Sequence, residues 1–323
     1  MASIIKKLIN GILSDVIQLE HSAQDIDDSI TKTSQLTGRN LLDNWYFADP
    51  VNQRGNTEYT ALGYTIDRWK ISAGQSGSMK LSIGDTYVGI TAGADMYTRV
   101  DQVFEGSTDL YGVTVTGSAL FEDGTLWSGS GVFPSAVDGV YSTTVLYSNS
   151  AHSLLLQTAG NGSSILRITA NAGITINVKA VKLELGTQQT LARKAVDGTW
   201  VLIDPPPNKA EELAKCQRYF YRKKGTGSYS IYGNGYINSA NDAFIFINVP
   251  EMRVAPTVAA SGKFILSIPG TAISVTSISP GGASTNGFNR ISASATNSLT
   301  SNTPVMLQAN NDASTYIDFS ADL

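Results

Sequence analysis

From Asn40 onward, turn signals interrupt the chain about every ten residues, and that spacing limits the fold more than any other feature. Gly84-Asp85, Gly106-Ser107, Asp123-Gly124, Asp138-Gly139, Asn161-Gly162 and Asn171-Ala172-Gly173 all pair a glycine with a turn-forming neighbour. Between them run the short stretches Met96–Phe104, Leu110–Val115, Val140–Tyr147, Ser153–Gln157, Ile165–Ala170 and Ile174–Leu185, in which apolar and polar residues tend to alternate. A period of two puts one face of each strand in a core and the other in water, so the pattern predicts an antiparallel sandwich or jelly roll. Further strands, such as Ala243–Val249, Lys263–Ile268, Arg290–Ala295 and Pro304–Ala309, predict a second antiparallel sandwich downstream. Only 15% of residues are charged, against about 25% in an average globular chain. Gly, Ser, Thr and Asn take their place, as suits a turn-rich β protein.

The first 38 residues read differently. Ile5, Ile9, Ile12, Val16, Leu19, Ala23, Ile26 and Ile30 are spaced alternately four and three apart, a heptad seam. Isoleucine at both a and d favours trimers or tetramers over dimers, so the stretch is expected to form a trimeric coiled coil. Lys6 and Lys7 precede an apolar stretch, but Asn10 and Gly11 break it, unlike a signal sequence. No run of 18 apolar residues occurs, and the chain is expected to be a soluble cytoplasmic product.

Composition excludes several kinds of chemistry. One cysteine permits neither an internal disulfide framework nor a Cys-rich metal site, and two histidines leave little for a zinc enzyme or a His-dependent triad. Twenty-seven acidic residues against 23 basic ones argue against nucleic acid as the main partner. The only basic cluster, Lys215, Arg218, Arg222, Lys223 and Lys224, is expected to alternate around a strand and present no single face. Cys216 is expected to be buried packing. No cofactor is expected; calcium through Asp85, Asp95 and Asp101 is the one weak alternative, without an EF-hand spacing.

Three motifs carry a resemblance. Asn40-Leu41-Leu42-Asp43-Asn44-Trp45-Tyr46-Phe47, followed by Asn52-Gln53-Arg54-Gly55 and Asp67-Arg68-Trp69, resembles the opening of jelly-roll modules in bacteriophage tail fibres. Val181-Lys182-Leu183-Glu184-Leu185-Gly186-Thr187 is similar to the last strand of that module, and Cys216-Gln217-Arg218-Tyr219 to the segment that follows it. In this chain the stretch from Gln188 to Lys209 is longer than in the family pattern, with a hairpin-like Val196–Val201 and Pro205-Pro206-Pro207. The resemblance implies a carbohydrate-binding-like jelly roll and a receptor-binding role at the virion tail. The expected organisation is a coil over residues 1–38, a jelly roll over 39–190, a linker over 191–208 and a β tip over 209–323.

Sugars stack their C–H faces on aromatic rings while polar neighbours bond their hydroxyls, so exposed aromatics are the candidates for a glycan site. In the jelly roll these are Trp127, Tyr141 and Tyr147; core or inter-subunit packing is the competing role for Trp127. Trp45, Phe47 and Trp69 read as core, and Asp67 beside Arg68 as a buried ion pair. In the tip, Tyr229, Tyr232, Asn234 and Tyr236 form a candidate receptor-facing segment, with edge-strand packing as the alternative. The expected function is non-catalytic, multivalent attachment of a phage virion to a host cell-surface polysaccharide. The chain would be a homotrimer joined to other tail or baseplate proteins by its N-terminal helix. The alternatives are a glycan depolymerase using paired carboxylates and a structural tail decoration without a ligand.

Overall fold

The computed structural model describes residues 3–9, 12–19, 38–282, 284–296 and 299–323. At the N-terminus it overturns the coiled coil. β1 (Ser3–Ile9) and β2 (Ile12–Leu19) pair antiparallel, with Ile9 opposite Ile12 and Ser3 opposite Leu19. Ile5, Ile9, Ile12, Val16 and Leu19 therefore lie on a hairpin; Ala23, Ile26 and Ile30 lie outside the described residues. The physical reason is in the sequence. Ile4, Ile5, Ile9, Ile12, Val16 and Ile17 are β-branched, and the dipeptide between the two runs is Asn10-Gly11, the strongest short-range hairpin signal. The seam therefore supplies no argument for a trimer.

The strands from residue 58 to residue 185 are, in order, β3 (Glu58–Tyr59), β4 (Gly63–Tyr64), β5 (Trp69–Ala73), β6 (Lys80–Ile83), β7 (Val88–Thr91), β8 (Thr98–Val103), β9 (Thr114–Phe121), β10 (Leu126–Val132), β11 (Ser142–Ser148), β12 (His152–Thr158), β13 (Ser164–Ala170) and β14 (Thr175–Leu185). They form two six-stranded antiparallel sheets, ordered β10-β9-β14-β7-β6-β3 and β11-β12-β13-β8-β5-β4. Alternation works as the sequence requires: Leu154, Leu156, Leu166 and Ile168 are buried, while Leu155, Gln157, Ile165 and Arg167 between them are partly exposed. Trp69, Phe47 and Phe133 are fully buried in the same core. The edge strands approach closely where β10 meets β11. A Cβ on Gly129 would stand 1.7 Å from the Leu146 carbonyl oxygen, so only glycine fits there.

Beyond a small hairpin of β15 (Ala192–Lys194) and β16 (Trp200–Leu202) comes α1 (Lys209–Gln217), the only α-helix among the described residues. Asn208 caps it, its side chain accepting from the Ala210 N–H at 3.0 Å, and Glu211 and Glu212 sit in its first turn. The tip is then a barrel and not the expected second sandwich. Its strands are β17 (Phe220–Lys224), β18 (Ile231–Ser239), β19 (Asp242–Asn248), β20 (Thr257–Ser261), β21 (Phe264–Ile268), β22 (Thr271–Gly282), β23 (Phe288–Ala295), β24 (Pro304–Ala309) and β25 (Tyr316–Ser320). Six of them close as β18-β19-β23-β22-β21-β24, and β17-β25-β20 form a separate three-stranded sheet. Closure removes the edges that an open, charge-poor sheet would expose. Ile245, Ile291, Leu266 and Leu307 fill the barrel core.

Two of the motifs that carried the tail-fibre resemblance, the opening one and Cys216–Tyr219, meet where sandwich and barrel join. Arg54 pairs with Asp67 at 3.5 Å and with Asp322 at 2.5 Å, its guanidinium 3.7 Å from the Phe220 ring centre. Arg68 pairs with Asp43 at 3.0 Å and stacks on Tyr219, whose hydroxyl donates to Glu105 at 2.7 Å. Asp67 and Arg68 thus do not pair with each other; each serves a different partner. The Asn44 backbone N–H donates to the Glu212 carboxylate of α1 at 2.9 Å, and Trp69 donates its indole N–H to the Asn44 carbonyl at 3.0 Å. Three of the five residues of the basic cluster are engaged in the same region. Arg222 makes a two-bonded pair with Asp318, Lys215 bonds Glu212, and Arg218 lies 3.5 Å from Glu105. Cys216 is fully buried beside them, and burial pushes its thiol strongly up, so it serves packing.

Candidate functional site

At the end of the sandwich farthest from this joint, three connections converge: the β9–β10 turn, the β11–β12 turn and the β13–β14 loop. They enclose a cleft of about 610 Å³. Its wall is aromatic. Trp127 on β10 lies parallel to His152 on β12, ring centres 3.3 Å apart and planes 10° apart. Tyr147 on β11 is parallel to the same indole at 5.2 Å and 4°. Phe121, at the end of β9, closes the cluster at 3.7 Å from Trp127.

Strand register assembles this stack. Trp127 pairs with Ala119, Tyr147 with Leu154 and His152 with Ala170, so edge strand β10 of one sheet and strands β11 and β12 of the other present rings to each other across the open end. An irregularity in β11 between Val145 and Tyr147 resets the strand so that Tyr147 faces the cleft. Asn149 then fixes the turn. Its carbonyl oxygen accepts from the N–H groups of Ala151 and His152 at 2.8 and 2.9 Å, and its amide donates to His152 Nε2 at 2.8 Å. That bond makes Nε2 the acceptor and leaves the proton on Nδ1, a buried atom with no partner among the described residues. Burial holds the imidazole down to about 4, partly opposed by Asp123, so the ring is neutral at pH 7.

The rim is polar. Asn177 donates to Glu122 at 2.9 Å, and Asp123 accepts from the Thr125 N–H and hydroxyl at 2.9 and 2.7 Å, which shapes the turn at Gly124 (φ 78°). Each of these carboxylates is therefore engaged by the scaffold through one oxygen. Thr175 and Asn177 on β14 face them from the other side. The arrangement is an apolar wall with amide, hydroxyl and carboxylate groups around it, suited to a polyhydroxylated ligand.

The structure brings together two of the residues expected from sequence, Trp127 and Tyr147. Trp127 is only 7% exposed, so its ring braces the wall, and Tyr147, half-buried, is the aromatic face open to a ligand. Tyr141 stands elsewhere, 69% exposed and outside the cleft. The tip segment does not form one surface. Tyr232 is buried in the barrel with its hydroxyl donating to the Thr315 carbonyl at 2.7 Å, which corrects its receptor-facing placement. Tyr229 is exposed, Tyr236 packs edge-on to Phe244, and Asn234 lines a separate shallow groove with Pro269, Pro304 and Met306. Asp85, Asp95 and Asp101 are not gathered for calcium: Asp101 is buried in a two-bonded pair with Arg167. Among the described residues, no group of three or more His, Cys, Asp and Glu side chains could hold a metal ion. His152, Asn149 and Asn177 were not singled out from sequence; Asn149 in the turn Ser148-Asn149-Ser150-Ala151 was the available signal.

No family model matches this chain, and no curated protein does. Among solved structures it is similar to the N-terminal tandem CBM22-1-CBM22-2 domain of Xyn10C from Paenibacillus barcinonensis. The identity is 11%, the match covers 89% of this chain and 98% of that one, and the TM-score is 0.21.

Proposed function

We propose that this protein is a non-catalytic glycan-binding protein whose site is the cleft at the end of the sandwich, and that it serves a bacteriophage tail in attaching to a host cell-surface polysaccharide. The observation that carries the glycan reading is the parallel Trp127–His152–Tyr147 wall facing a rim of Asn149, Thr125, Thr175 and Asn177. A sugar ring stacks on the open side of Tyr147 while its hydroxyls exchange bonds with the rim amides and hydroxyls. The tail assignment rests on the sequence motifs at the joint. Individual sugar sites of this kind are weak, and attachment gains its strength from several copies on one virion.

A glycan array, followed by calorimetry on the best ligand, tests the binding reading. Tyr147→Ala should weaken binding about tenfold or more, the equivalent of 1.4 kcal/mol, while the protein remains folded at the assay temperature. Binding that survives this substitution would place the site elsewhere. Competition of the isolated protein with host adsorption of the phage tests the tail assignment separately. Incubation with the bound polysaccharide should release no new reducing ends.

A further inference from the structure

The cleft has a charge asymmetry that bears on which glycans fit. Its lining holds two carboxylates, Glu122 and Asp123, both exposed, and no lysine or arginine. The one titratable base, His152, stays uncharged down to about pH 4. Among the described residues Glu122 Oε1 and Asp123 Oδ2 have no bonding partner, since Asn177 and Thr125 engage the opposite oxygens. From this we infer that the cleft selects neutral or amine-bearing glycans and rejects those that carry carboxylate, sulfate or phosphate on the bound unit. The inference rests on the glycan reading above and sharpens it to a ligand class.

The physical reason is the imbalance between attraction and repulsion. A hydroxyl or ammonium donates to the free carboxylate oxygens, whereas an anionic substituent meets two like charges with no cation to offset them. At separations of about 6 Å in a water-filled cleft, each repulsion is worth about a threefold loss of affinity, so the pair gives roughly tenfold discrimination at low salt. Because the cleft is open, added salt should erode that factor.

Three probe sets decide the matter: N-acetylglucosamine oligomers, their de-N-acetylated amine forms and galacturonate oligomers, with a mixed array for ligands outside these series. In wild type, neutral and amine-bearing members should bind about tenfold better than acidic members of matched length at 50 mM salt, with the difference shrinking at 1 M. The double variant E122Q/D123N keeps both scaffold bonds, since each amide retains a carbonyl acceptor. It should raise the affinity of acidic members relative to neutral ones about tenfold, and weaken the amine-bearing members, whose ammonium loses both charge partners. Acidic glycans that bind wild type as well as neutral ones, or a ratio unmoved in E122Q/D123N, would overturn the charge rule while leaving glycan binding intact. Binding of no glycan of any class would overturn the glycan reading and this rule together.

Discussion

Lys182 offers the sharpest energetic test of the sandwich. It lies on β14 with a completely buried side chain, its ammonium donating to Thr190 Oγ1 at 2.8 Å and to Asp204 at 2.6 Å, with Glu184 at 3.8 Å. Glu184 is itself buried and accepts from the Thr190 N–H at 2.7 Å. Lys182→Met keeps the volume and removes the charge. Asp204, at 35% exposure, can turn to water, but Glu184, at 1%, cannot. A buried carboxylate stripped of its counter-charge should cost about 3–5 kcal/mol. Replacing Glu184 as well removes the stranded charge, so K182M/E184Q should recover a large part, giving a coupling energy of about 2 kcal/mol. Denaturant unfolding followed by tryptophan fluorescence reads this directly, because Trp45, Trp69 and Trp127 all sit in the sandwich core. The dependence on denaturant should stay unchanged, since the same surface is exposed. If K182M falls within 1 kcal/mol of wild type, or the coupling is indistinguishable from zero, the lysine does not compensate Glu184 and the reasoning fails.

Other consequences are equally concrete. Burial raises Asp67 from 3.8 to about 6, against the lowering influence of the Gln53 N–H and Arg54. The folded state therefore holds this proton more tightly than the unfolded chain; that contribution is complete below about pH 4 and lost as pH rises through 6. It amounts to about 3 kcal/mol at most, and Asp67→Asn should flatten this part of the stability profile. His152 has the opposite sign: its depressed value favours the folded state above about pH 6.5, an advantage lost as pH falls toward 4. An NMR titration should find the imidazole of His152 neutral at pH 5.5, and a midpoint near 6.5 would contradict the burial argument. Trp127→Ala should cost about 3–5 kcal/mol in thermal or chemical unfolding, because the indole is 7% exposed and braced by Phe121 and His152.

The sandwich was legible because its cues are local. Leu154, Leu156, Leu166 and Ile168 announce an inward face by period two, and Gly124, Gly162 and Gly173, all at positive φ, end strands where the sequence places turns. The N-terminus misled because isoleucines three and four apart satisfy a heptad and a β hairpin alike; Asn10-Gly11 was the deciding signal, and the longer periodic pattern overshadowed it. The barrel was misread for another reason. Its closure depends on β18 pairing with β24, Asn234 opposite Met306, a contact that no window of neighbouring residues encodes. The site was half legible. Trp127 and Tyr147 stand out as aromatics, whereas the role of His152 comes from the pairing of β12 with β13 and from a turn built by Asn149. Tyr232 shows the limit of residue type alone, since a tyrosine with a buried hydroxyl partner looks no different in sequence from one that meets a ligand.

The cleft and the joint with the barrel occupy opposite ends of the same strands. On β13, Ala170 lies by the cleft at His152, while Ser164 lies beside Phe104 toward the joint, some 20 Å away at the usual rise per residue. A pull applied at a bound ligand and resisted at the barrel therefore runs along the strands. In antiparallel pairs the hydrogen bonds stand perpendicular to the strands, so this load tries to slide neighbours past one another and strains the whole β12–β13–β8–β5 ladder at once. A tug across the sheet would instead unzip bonds one by one. Under the attachment proposed above, the sandwich would bear tension in shear. The first element to yield under load should be the compact set of ion pairs around Arg54 and Arg68, not the strands.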